Sequence, residues 1–149
     1  MNPFTAPTVS PAFAPLNSNL KVYVEYSNEI WSSGFAFAQG NWAEKEAELN
    51  GLGTDVAAKA RFNARKFCDT WRTFQSVFGG DNAHLVRVAA IFTALNTYSE
   101  AFLEEIETYG QTPPTVRPDV LALTTYFGND VQGFAAVKSA LSFKCPLFR

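Results

Sequence analysis

The chain is poor in the residues that build metal sites, disulfide frameworks and nucleic-acid surfaces. It has 149 residues but a single histidine, His84, and two cysteines, Cys68 and Cys145. Two cysteines so far apart fit neither a disulfide framework nor a zinc site, and one histidine gives little to a Ser-His or metal mechanism. The net charge is −2, with no basic run, so no electrostatic footprint for nucleic acid exists. No stretch of about 18 apolar residues occurs, which speaks against a transmembrane helix or a membrane partner. Residues 1–15 lack a basic n-region and carry Pro3, Pro7, Pro11 and Pro15, unlike a secretory signal. No internal repeat is evident, and no cofactor is implied.

What is present is a folded domain's composition. Apolar residues make up 47% of the chain and aromatics 15%, which excludes disorder as the main state. Residues 1–19, rich in Pro, Ser and Thr, read as an irregular arm. Residues 20–142 alternate between strand and helix patterns, and residues 143–149 are a tail without periodicity. The expected strands are 20–26, 85–92 and 120–127, the second with the apolar density of a parallel strand covered on both faces. The expected helices are 33–49, 54–78, 96–109 and 131–141. Thr54 is the expected cap of the second, and Gly34 and Gly40 weaken the start of the first. Alternation of this kind predicts an α/β fold with parallel strands joined by right-handed crossovers.

The first strand is the informative one. It runs Leu20-Lys21-Val22-Tyr23-Val24-Glu25-Tyr26 and ends in Ser27-Asn28-Glu29-Ile30-Trp31. A carboxylate at a strand tip, between an amide and an indole, is placed where parallel α/β barrels keep their active-site groups. The segment VYVEYSNEIW resembles a VYVEYSNEVWN-type motif of glycoside-hydrolase-like proteins, some found beside cellulose-binding modules. Its Asn-Glu pair is similar to the end of strand four in the retaining glycosidases with (β/α)8 barrels. The resemblance spans roughly residues 13–130. It is close over the first strand and looser over LVRVAAIF and DVLALTTYFG. It departs at Phe92 and Thr93, where relatives tend to carry Gln.

The resemblance implies roles. Glu29 would be the acid/base, Asn28 would contact the sugar ring, and Tyr126 would orient a nucleophile from a later strand. The polysaccharide or oligosaccharide substrate would lie against Trp31, and the parent protein would be secreted. Each residue also has a plainer reading. Glu29 and Asn28 could cap the following helix, Trp31 could pack beneath it, and Tyr126 could be a buried tyrosine. The expected runner-up function is a non-catalytic carbohydrate-binding or assembly module using Trp31, Trp42 and Tyr126.

Period two places Tyr23, Glu25, Ser27 and Glu29 on one face and Val22, Val24 and Tyr26 on the other. The aliphatic face is expected to meet helices. Glu25 is then expected to need a buried partner, and Arg87 on the second strand is the natural one. The Glu44–Glu48 and Glu100–Glu107 runs read as solvated helix faces, and Cys68 as a small core residue.

Length sets the remaining expectation. A complete (β/α)8 barrel needs about 200 residues or more. Retaining hydrolysis needs a second carboxylate, supplied in the clan by strand seven, and no Glu follows Tyr126. The expectation is part of a barrel, inactive alone, that self-associates or awaits its remainder.

Overall fold

The computed structural model describes residues 17, 19–78 and 83–124. The arm before them, Tyr126, the expected last helix and the tail lie outside the described residues. In chain order the elements are β1 (Val22–Val24), α1 (Ala38–Leu49), α2 (Val56–Val77), β2 (Leu85–Ile91), α3 (Asn96–Tyr109) and β3 (Val120–Leu123). The three strands form an open parallel sheet in the order β1-β2-β3. The α/β fold and the parallel order are those expected from the alternation.

β2 is the central strand. All its residues except Arg87 are buried, as expected for a parallel strand with both faces covered. α2 packs on the sheet through Ala60, Ala64, Phe67, Cys68 and Trp71, all buried. Their small and aromatic side chains alternate at helical spacing, so the helix comes close while the rings fill the gaps. Phe67 is the hub. Its ring meets Tyr26 at 5.7 Å, Trp71 at 5.7 Å and Phe102 of α3 at 5.2 Å, each edge to face. Val24 is buried against this core, Val22 partly so, while Tyr23 is 67% exposed. The aliphatic face of β1 therefore meets the helices, as its parity requires.

Several boundaries differ from expectation. β1 ends at Val24, because Ser27 (φ 61°) and Glu29 (φ 45°) adopt left-handed backbone that no strand continues through. α1 starts at Ala38, not near 33. The Asn41 side chain accepts from Gly34 N–H (2.9 Å) and donates to Gly34 C=O (2.8 Å), holding that segment as a loop. α2 is capped by Asp55, not Thr54: its carboxylate accepts from Ala58 N–H at 2.7 Å.

The Glu25–Arg87 pair is a correction. The β1–β2 register matches Val24 with Arg87, so Arg87 shares the face of Val24 and Glu25 takes the opposite one. Arg87 instead forks onto Asp119, just before β3, through Nε and a terminal nitrogen, both at 2.9 Å. Asp119 also accepts from Arg87 N–H at 2.8 Å and donates its own N–H to Arg87 C=O at 2.9 Å. This two-sided clasp sets the register of β3. Partial burial alone pushes the Glu25 carboxyl up from its usual range.

Burial also acts to raise the Asp119 carboxyl. The hydrogen bonds and charge of Arg87 outweigh it and hold that group below the usual range. A depressed carboxylate contributes stability above its unfolded value, about 3.9, and loses it as pH falls through the folded one. Acidification from pH 5 to pH 2 is therefore expected to lower the urea midpoint, and Asp119→Asn to flatten that slope. Asp119 is partly exposed, so its share is about 1 kcal/mol or less. Equal slopes in both proteins would refute the role of the clasp.

Candidate functional site

The C-terminal tips of β1 and β2 form the candidate site. Residues 25–37 leave β1 and fold back over the tip as a rim loop before α1. A turn closed by Ser32 N–H to Glu29 C=O at 2.9 Å begins at Glu29. Left-handed backbone at a non-glycine residue costs of order 1 kcal/mol and persists only where the surroundings enforce it. Glu29, a candidate on sequence grounds, is one of the two non-glycine residues with positive φ among the described residues.

The helix-capping alternatives for Asn28 and Glu29 do not hold. Phe37 is at the N-cap of α1, with no side-chain cap, and lies well beyond both. Asn28 is exposed, and its carbonyl accepts from the Gln39 side chain at 3.1 Å. Trp31 is half-buried and lies parallel to Phe92, with ring centroids 5.7 Å apart and planes 4° from parallel. Phe92 follows β2, so this stack bridges the two strand tips. Trp31 Nε1 is buried with no hydrogen-bond partner among the described residues. Trp42 lies elsewhere, with its ring edge-on to Phe62 at 5.3 Å, between α1 and α2.

Beside this tip, β2 and β3 are tied by threonines. Thr124 N–H donates to Ile91 C=O at 3.0 Å, Thr93 N–H donates to Thr124 Oγ1 at 3.1 Å, and the Thr93 hydroxyl donates to Thr124 C=O. Tyr126, two residues further, lies outside the described residues. The structure thus brings Asn28, Glu29 and Trp31 together at one tip, with Glu25 at the start of the same loop, and sets Arg87 and Trp42 apart from it.

Sequence reasoning passed over the residues beneath the loop. Lys59 and Asn63, on α2, are buried, and Tyr98 of α3 joins them. Asn63 Nδ2 donates to Tyr98 Oη at 2.7 Å and to Ile30 C=O at 3.4 Å. Lys59 Nζ is 3.1 Å from Glu44 and 3.4 Å from Ser32 C=O, and it also donates to Ser33 Oγ. Ser33 Oγ donates to the same Glu44 carboxylate. That hydrogen bond, against partial burial and aided by Lys59, holds the Glu44 carboxyl below its usual range. Glu44, read from sequence as a solvated helix charge, is thus a working partner. The signal was available: Asn63 stands one turn before Phe67, on the apolar stripe of α2.

Gly40 completes the support. A Cβ built there would lie 1.5 Å from Ser32 C=O, so α1 touches the rim loop backbone to backbone.

Two shallow hollows, one of about 140 Å³ between Phe62, Arg65 and Tyr109, occur among the helices, and neither is lined by Asn28, Glu29 or Trp31. Among the described residues no cluster of three His, Cys, Asp or Glu could hold a metal, and no helix is long and apolar enough to cross a membrane. The chain matches no protein-family model, no curated protein and no solved structure.

Proposed function

We propose that this chain is the acid/base-bearing part of a glycoside-hydrolase-like (β/α)8 barrel acting on polysaccharide. Glu29 is its acid/base, and Asn28 and Trp31 meet the sugar. Tyr126 orients a nucleophile that a further strand brings. The observation that carries the reading is the position of Glu29. It stands at the C-terminal tip of a parallel strand, in enforced left-handed backbone, beside an aromatic stack. That end of a parallel barrel is where catalytic groups belong, and the VYVEYSNEIW segment resembles the motif of that clan.

The parent reaction is double displacement. Glu29 protonates the leaving oxygen, then activates water against the glycosyl-enzyme intermediate. A barrel needs eight strands, so the proposed barrel adds five to the three described. Exposed Tyr23 and Val120, on the sheet face away from the helices, suit such an addition.

Alone, the chain is expected to hold sugar without cleaving it. Hydrolysis of polysaccharides and aryl glycosides should be negligible both in the chain and in its Glu29→Gln variant. Turnover that vanishes in the variant would show that a nucleophile is already present and overturn the partial-barrel reading. A non-catalytic carbohydrate-binding module is the second reading. The Trp31–Phe92 stack favours it, since an aromatic platform holds sugar without a second carboxylate.

A further inference from the structure

The two buried polar side chains of α2, Lys59 and Asn63, are one helical turn apart and so share a face. Packing alone does not account for polar groups there. Apolar residues of similar volume serve a core as well or better, and a buried ammonium needs compensation. What distinguishes these two is where they reach. Each donates to a carbonyl of the rim loop, Lys59 to Ser32 and Asn63 to Ile30, both at 3.4 Å. Those carbonyls follow directly on Glu29 and flank Trp31. On the other side, Gly40 of α1 is pressed against Ser32 C=O. The loop is gripped from two helices at the segment where its backbone is least comfortable, with Glu29 at φ 45°.

We propose that Lys59 and Asn63 are positioning residues. They hold the turn of residues 29–32, with Glu29 in its left-handed conformation, and so fix Glu29 and Trp31 at the strand tip. Glu44 is the carboxylate that keeps Lys59 in that task. The functional meaning of this inference rests on the proposed role of Glu29, but the conformational claim does not.

Its test therefore uses neither sugar nor turnover. The probe is the Ser32 amide, whose N–H closes the turn onto Glu29 C=O. Hydrogen exchange is measured by NMR on the full chain, together with the intraresidue HN–Hα cross-peak of Glu29, which positive φ strengthens. In Lys59→Met and Asn63→Leu, Ser32 exchange should accelerate on the order of tenfold, the equivalent of one lost hydrogen bond. The Glu29 cross-peak should weaken, while amides in the middle of α2 and α3 keep their rates. Glu44→Gln, altered at a half-exposed side chain, should act in the same direction and keeps the test available if Asn63→Leu fails to fold. Ser32 exchange that is unchanged, or that rises only by the factor seen throughout α2, would reduce Lys59 and Asn63 to packing residues and overturn the proposal. Failure of the chain to bind carbohydrate would leave these measurements untouched.

Discussion

Replacing Trp71 with alanine is expected to lower the unfolding free energy by about 3–5 kcal/mol, the usual range for a large aromatic removed from a core. Trp71 is fully buried against Phe67. Its indole nitrogen also donates to Val24 C=O at 3.2 Å, the last residue of β1. That bond is a clamp on a strand only three residues long, immediately before the rim loop. Domains of this size are stable by about 5–15 kcal/mol, so the variant should be largely unfolded under mild denaturant. Trp71→Phe separates the contributions: it keeps most of the bulk, loses the hydrogen bond and should cost about 1–2 kcal/mol. Urea denaturation followed by circular dichroism reads both. A loss below about 1 kcal/mol in Trp71→Ala would mean that α2 does not anchor the strand as described.

Gly40→Ala sets two effects against each other. In an open helix the change stabilises by about 1 kcal/mol. Here the added Cβ would meet the Ser32 carbonyl oxygen at 1.5 Å and its carbon at 2.7 Å, both main-chain atoms. No rotamer change relieves that contact, so α1 or the rim loop must move. Overpacking costs about 1–3 kcal/mol even where side chains can yield. The clash is therefore expected to win, with net destabilisation of at least about 1 kcal/mol and amide shifts concentrated at residues 29–34. A more stable variant, with those resonances unmoved, would contradict the close approach of α1 to the loop.

Much of the fold was legible because its signals are local. β2 is a continuous apolar run and α3 a clean amphipathic segment, and both stand where the patterns put them, Leu85–Ile91 and Asn96–Tyr109. The strand order followed from alternation and connection length. Register was not legible. Parity tells which residues of one strand share a face, but not how two strands are phased. Glu25 and Arg87 each obeyed its own alternation and still ended on opposite faces. Asp119 was missed as the partner because it precedes β3 and carries no pattern of its own.

The candidate site divides the same way. Glu29 at the strand tip was readable from the motif. The left-handed turn that carries it was not, since Ser27 and Glu29 are not residues that announce positive φ. Glu44 looked like a surface charge and Lys59 was passed over, because helical periodicity does not reveal that a loop will fold back over one end of α2. Only the tertiary path of residues 28–33 brings them into use.

The proposed role of the tip formed by Asn28, Glu29 and Trp31 is to bind carbohydrate. The most direct measurement is NMR shift mapping of the full chain titrated with cello-oligosaccharides and xylo-oligosaccharides, repeated in Trp31→Ala. Saturable shifts confined to residues 27–33 and 91–93, including the Trp31 indole N–H, are expected, and they should be lost in the variant. No shifts with either series, or shifts centred on the helices around Arg65 and Tyr109, would contradict it.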